Sequence, residues 1–330
     1  MAVRQRIAAL LKTAGVDAPI HELTTLGIGS AGLAARGNRD EDGTHTRVVL
    51  DDGTSLVYRE YETTTRMAAH YMHKELAVFD ALRAAGLPSP DVLVVSEDPP
   101  AALLSDGGGE PLEELFLRVG PGQRSAIWRT VGALLKRFHE LPVDGLSFLT
   151  DPSYARPWTS FLPYFVRSLR TVKATRPDLG PHVDTLLGLR GVLQAYLDTR
   201  PRTLTFNLGY YLPGVLLTST GGRFACTSWL SLGYYVWTGD PALDLMAIAV
   251  VHREWTGQDV PPSFYKGYGS RVDDPVCELL YEARIQLGRG ATYYRGKYRK
   301  GWGPPPHSTA LQALEQLPDT VARLRDLLRE

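Results

Sequence analysis

The stretch from Thr205 to Leu245 constrains this chain more than any other. It opens with Thr205-Phe206-Asn207-Leu208-Gly209-Tyr210-Tyr211-Leu212-Pro213-Gly214 and passes into the apolar run Val215-Leu216-Leu217. A short hairpin leads to Cys226-Thr227-Ser228-Trp229, and Gly239-Asp240-Pro241-Ala242-Leu243-Asp244-Leu245 follows. The pattern is a loop, a hairpin, and then an apolar helix over Pro241–His252. Asp240 stands where its carboxylate can take up the otherwise unpaired N–H groups of that helix's first turn.

Upstream, Met1–Ala18 has the spacing of an amphipathic helix ended by Gly15 and Pro19. Leu26-Gly27-Ile28-Gly29-Ser30-Ala31-Gly32 is glycine-dense, which suits a tight turn or a close backbone approach to a ligand. Thr44–Leu50 and Thr54–Tyr61 read as strands joined by the turn Asp51-Asp52-Gly53. His70–Ala85 is a helix with Glu75, Leu76, Phe79 and Leu82 at helical spacing, terminated by Gly86-Leu87-Pro88. Val92–Val95 and Ala101–Ser105 add two strands, and Gly107-Gly108-Gly109 favours a flexible crossover. Helices follow over Gly122–His139, Pro157–Val172, Pro181–Leu197, Pro275–Tyr294 and Leu311–Arg329. The Pro157–Val172 helix carries Trp158, Phe161, Tyr164 and Phe165.

These residues resemble the aminoglycoside phosphotransferase and choline kinase-like family. There the core pattern is roughly H-G-D-x-x-P-G-N-x-L, a hairpin, I-D-W, then G-D-P-x-x-D-L. Pro213, Gly214, Leu216, Trp229 and Gly239-Asp240-Pro241 match that frame. Ser263-Phe264-Tyr265-Lys266-Gly267-Tyr268-Gly269 is similar to the family's G-Y-G segment, and the likeness spans about residues 5 to 300. It implies an α+β, two-lobe protein kinase-like fold, with a small antiparallel-sheet lobe over residues 1–106 and a helical lobe over 107–330. It further implies a nucleotide site built from Gly27, Gly29, Gly32, Arg59, Glu75 and Leu104. Arg59 stands at the phosphate-anchoring base and Glu75 at its helix partner. The wall for the second substrate would draw on Tyr211, Trp158, Phe161 and Asp240.

Phosphoryl transfer is mostly positioning and charge neutralisation: one carboxylate orients the acceptor hydroxyl, and an amide and a second carboxylate hold magnesium. Anchored on Pro213-Gly214, the family's catalytic Asp falls on Tyr210. Anchored on Phe206-Asn207 with a two-residue insertion, it falls on Asn207. Neither is a carboxylate. The metal-binding Asn becomes Val215 and the metal-binding Asp becomes Ser228. The pattern therefore predicts a degenerate member, a pseudokinase that binds a metabolite, a peptide or a partner enzyme, with no cofactor expected. Two alternatives stand beside it. One is an unorthodox transferase using ATP and Mg²⁺; the other is a cleft turned to non-phosphoryl chemistry with Tyr210, Tyr211 or His139 as proton donors.

Composition narrows the setting. Lys plus Arg and Asp plus Glu are both 36, so formal net charge is zero. That gives no electrostatic reason to expect nucleic acid or a membrane surface as partner. The two cysteines, Cys226 and Cys277, make neither a disulfide framework nor a metal-ligand spacing, and a reduced cytoplasmic setting is expected.

Overall fold

The computed structural model describes residues 3–26, 43–61, 68–143, 157–205, 214–294 and 307–329. Its strands are β1 Ile20–Thr25, β2 Gly43–Leu50, β3 Ser55–Tyr61, β4 Val92–Glu97, β5 Pro100–Ser105, β6 Glu110–Pro111, β7 Thr203–Thr205, β8 Val215–Thr220, β9 Arg223–Trp229 and β10 Trp237–Gly239. Its helices are α1 Val3–Thr13, α2 Ala68–Ala84, α3 Leu112–Arg118, α4 Pro121–His139, α5 Pro157–Thr175, α6 Gly180–Gly188, α7 Arg190–Asp198, α8 Leu232–Tyr235, α9 Pro241–Thr256, α10 Pro262–Tyr268, α11 Pro275–Tyr294, α12 His307–Glu315 and α13 Leu317–Leu327. No helix among the described residues is long and apolar enough to cross a membrane. Two compact units emerge, one drawn from Met1–Leu141 and Leu212–Tyr235, the other from Leu149–Tyr211 and Val236–Glu330.

The first unit is organised by an antiparallel five-stranded sheet in the order β1-β2-β3-β5-β4. The turn after Leu50 fixes the β2–β3 register, pairing Val49 with Ser55, Arg47 with Val57 and His45 with Arg59. Side chains alternate across a strand, so β3 splits into two sets. Leu56 and Tyr58 pack with Val48, Leu50, Ala101 and Leu103 against Ile7, Leu10 and Leu11 of α1. Val57, Arg59 and Tyr61 point the other way. Arg6 of α1 reaches Glu60 at 2.8 Å, on the α1 side as the alternation requires. The same unit holds a three-stranded sheet, β6-β8-β9. There Trp229 is fully buried and its ring lies 5.1 Å from that of Phe138 on α4.

The second unit is helical. Its core runs from Phe165, Leu169 and Val172 of α5 through Leu243, Met246 and Val250 of α9 to Leu280, Tyr281 and Leu287 of α11. Leu314, Leu317, Val321 and Leu324 close it from the C-terminal pair. Two helices expected to be continuous are broken. Pro181–Leu197 divides at Leu189, between Gly188 and Arg190. Leu311–Arg329 divides at Gln316 because Pro318 has no N–H to donate and fits only a helix's first turn, where it sits in α13.

Candidate functional site

Three clusters hold the described candidate residues. The first is on the α2 side of the large sheet. Arg59 sits mid-β3, directly opposite His45 on β2 and Ala102 on β5. Its guanidinium is fully buried, as is the Glu75 carboxylate that α2 brings to it, with Nε 3.3 Å from Oε2. The Tyr61 ring, two residues along the same strand face, lies 4.5 Å from the guanidinium carbon, a distance at which the ring's negative face attracts the cation. Leu104 is buried in the next row, paired with Val57. Burial, reinforced by the Arg59 charge, holds the His45 imidazole well below its ordinary range and hence neutral. Its Nε2 has no hydrogen-bond partner among the described residues. Burial likewise pushes the Lys74 amine well down, with Glu75 acting against that shift.

The second cluster joins the end of the large sheet to β8 and β9. Asp106 accepts from Arg47 Nε at 2.6 Å, Ser55 Oγ at 2.6 Å and the Gly108 amide at 2.9 Å. Burial alone would raise this carboxyl, but those hydrogen bonds outweigh it and hold it below the usual carboxylate range. Glycines are required in the crossover that follows. A Cβ on Gly107 would lie 2.6 Å from the Thr227 carbonyl oxygen, and Gly109 has φ +88° with the Leu217 carbonyl 2.7 Å from where its Cβ would be. Thr227 Oγ1 donates to the Gly108 carbonyl at 2.8 Å, fastening the crossover to β9.

Val215 and Ser228 lie on adjacent rungs of that β8–β9 hairpin, where Val215 pairs with Trp229 and Leu216 with Ser228. By alternation Val215 shares a face with Trp229 and Ser228 faces the other way. Both are buried, and Ser228 Oγ has no hydrogen-bond partner among the described residues. An apolar side chain and a neutral hydroxyl do not fit magnesium, which takes oxygen ligands and usually one or two carboxylates. Among the described residues no cluster of three or more His, Cys, Asp or Glu is placed to hold a metal ion.

The third cluster is in the helical unit. Asp240 is fully buried and its Oδ1 accepts from the Ala242 amide at 2.9 Å, capping α9. Its Oδ2 accepts from Arg200 Nε at 2.5 Å and Tyr281 Oη at 3.0 Å. Arg200 also reaches Asp274 at 3.2 Å; Asp274 accepts from Tyr196 Oη at 2.5 Å and from the amides of Val276 and Cys277 that open α11. One arginine thus ties together two helix-capping aspartates. Burial, then the charge of Asp240, lifts the Cys277 thiol to about 12. Asp240 thus caps α9 and pairs with Arg200 and Tyr281.

Tyr210, Asn207, Tyr211, Gly27, Gly29 and Gly32 lie outside the described residues, as do the side chains of Trp158 and Phe161 on α5. The structure thus brings Arg59 and Glu75 together, joins Leu104 to them through β3, and puts Val215 and Ser228 on adjacent rungs of one hairpin with their side chains on opposite faces. Sequence reading missed His45, Tyr61, Arg47 and Asp106. The first two were within reach, because the turn after Leu50 fixes His45 opposite Arg59 and strand alternation puts Tyr61 on the same face.

No curated protein matches the sequence. Solved structures do match in fold. The streptomycin–ATP ternary complex of APH(2")-IIa superposes with a TM-score of 0.60 at 13% identity, covering 98% of this chain and 99% of that one. The GDP complex of aminoglycoside 2'-phosphotransferase-IIIa gives 0.63 at 15% identity, covering 97% and 99%. A choline/ethanolamine kinase family protein from Mesorhizobium loti gives 0.59 at 16%, covering 98% and 99%. The fold is therefore the α+β, two-lobe kinase-like one of these enzymes. The sequence profile of the phosphotransferase enzyme family, APH, matches residues 37–279, and with that the chain belongs to this family.

Proposed function

We propose that this chain is a catalytically degenerate member of its family, a binding module that recognises a small molecule, a peptide or a partner enzyme without transferring phosphate. The observation that carries the reading is the set of residues at the positions which, by resemblance, handle proton and metal. Tyr210 or Asn207 stands for the catalytic acid, Val215 for the metal amide and Ser228 for the metal carboxylate. One such change could tune an enzyme. Together they remove every carboxylate and amide ligand from a reaction that depends on neutralising phosphate charge. The burial of Val215 and Ser228 supports the same reading, since neither is presented to solvent. The aromatic run Trp158 to Phe165 is the stretch we assign to ligand or partner contact. A role in a bacterial natural-product or modified-peptide pathway is consistent with such a module.

The test is a phosphoryl-transfer assay with ATP and GTP, each with Mg²⁺ and Mn²⁺, against panels of aminoglycoside, choline-like and peptide hydroxyl acceptors. No transfer above a heat-treated control is expected. Transfer that is lost on Arg59→Met would overturn the reading in favour of an unorthodox transferase, which membership of the family and the retained Arg59–Glu75 pair otherwise support.

A further inference from the structure

We propose that His45 joins Arg59 in an oxyanion site that works without a metal ion, taking the phosphate or carboxylate head of a small molecule on the α2 side of the large sheet. The inference rests on the reading of this chain as a binding module and names the chemistry that the module recognises. It starts from a disagreement. Val215 and Ser228 do not fit magnesium, so an anion bound in this unit has to be met by the protein's own donors.

The strand register supplies two donors side by side. His45, Arg59 and Ala102 form one rung across β2, β3 and β5. Residues directly opposed on antiparallel strands share a face, with Cβ atoms about 5 Å apart, and Ala102 adds only a methyl group beyond Arg59. The backbone of His45 is held on both edges, by β3 and by the Leu26 amide, which donates to its carbonyl at 2.9 Å. The residue is 2% exposed, yet its Nε2 has no hydrogen-bond partner among the described residues. Burying a ring nitrogen without a partner costs free energy, and native structures rarely do so without a use for it. The neighbouring charge says which use. A guanidinium cannot accept a hydrogen bond, so Arg59 cannot satisfy an Nε2–H. An anionic oxygen in front of the rung accepts from both, in charge-assisted bonds stronger than neutral ones. The Arg59–Glu75 pair stays in place when that happens. Glu75 meets Arg59 through Nε, and its Oε1 accepts from the Leu232 amide at 2.9 Å. A guanidinium carries five N–H donors, more than this one contact employs. His45 thus adds to Arg59 the second donor that a bound metal ion would otherwise make unnecessary.

The test is calorimetric titration of the full chain in EDTA with inorganic pyrophosphate and, separately, with acetate, in the wild type, His45→Gln and His45→Val. Long-range proton–nitrogen spectra follow the imidazoles in parallel, and the His45 signal is the one missing from His45→Gln. Saturable binding is expected, with a shift at His45 Nε2 and no gain on adding Mg²⁺. A response to pyrophosphate alone assigns a phosphate head, to acetate alone a carboxylate head, and to both an oxyanion site that accepts either. His45→Val removes the donor and is expected to weaken binding by about tenfold or more. His45→Gln keeps an N–H and is expected to weaken it less. No movement of His45 Nε2 with either probe would overturn the site and leave the nitrogen to buried solvent. Binding that appears only with Mg²⁺, or that is equally tight in folded His45→Val, would overturn it too. If His45→Val does not fold, the wild-type shift and His45→Gln decide. Phosphoryl transfer beside a metal-free shift at His45 would remove the non-transferring reading and leave this site standing, whereas no transfer and no shift would remove this site alone.

Discussion

The Arg59–Glu75 pair and the Arg200–Asp240–Asp274 cluster are both ion pairs inside one chain, and they solve the problem of buried charge differently. In the sheet unit both side chains are wholly removed from water and the nearest atoms are 3.3 Å apart. In the helical unit Asp240 is equally dry, but Arg200 keeps 21% of its side-chain exposure and Asp274 31%. The contact there is 2.5 Å, and each aspartate also caps a helix. A fully desolvated pair carries a penalty that its attraction repays only with good geometry and further hydrogen bonds. The Leu232 amide and the Tyr61 ring supply those for Arg59–Glu75. The second cluster needs less, because water and a second carboxylate remain open to its arginine. Tightness of contact and depth of burial therefore point in opposite directions, and burial decides how much is lost when a partner is removed.

Removing Glu75 should cause the largest loss. Glu75→Ala removes the carboxylate from a buried ion pair and is expected to cost about 3–5 kcal/mol in urea unfolding. The double variant Arg59→Met/Glu75→Gln should recover much of that, and no recovery would mean the pair's value lies outside its charge. Asp240→Ala should cost less, about 2–3 kcal/mol: a cap worth about 1 kcal/mol plus a buried acceptor, with Asp274 left to hold Arg200. A cost equal to that of Glu75→Ala would erase the contrast drawn between the two regions.

Acid should act on the sheet unit through His45. The imidazole of His45 is depressed when folded and ordinary, near 6.5, when unfolded. The unfolded chain therefore takes up the proton first. Stability is intact above about pH 6.5 and falls as pH drops below it. His45→Gln should flatten the stability–pH curve between about pH 7 and 5. An unchanged slope would assign the acid sensitivity elsewhere, for example to His252, which burial also holds low.

The smallest effect is on reactivity. Burial lifts both Cys226 on β9 and Cys277 on α11 to about 12, so at pH 8 neither should react appreciably with iodoacetamide in the native protein. Because one thiol lies in each unit, the order in which they become reactive with rising urea reports which unit opens first. Simultaneous reaction would mean the two units unfold together.

Much of this was legible in the residues. The Asp51-Asp52-Gly53 turn fixed the β2–β3 register, and the alternation after it was enough to place His45 and Tyr61 beside Arg59. The face Ile127, Val131, Leu134, Leu135 and Phe138 is buried on α4 as its spacing requires. Asp240 caps α9, as an aspartate before an apolar helix should. What was not legible involved distance along the chain or a local break in a good pattern. Apolar spacing continues smoothly across Gln316, yet Pro318 divides the helix. The Arg47–Asp106 pair joins two residues with no sequence relation to each other.

The sequence by itself determined the family, the two-lobe fold and the turn between β2 and β3. Those properties follow from residue identity and short-range periodicity, which need no knowledge of what lies across the core. Only the tertiary structure decided that Arg59 is dry, that Glu75 divides its carboxylate between an arginine and the Leu232 amide, and that Asp240 both caps its own helix and pairs with Arg200. Desolvation and long-range pairing are properties of packing, set jointly by segments far apart in the chain, and no single stretch of residues contains them.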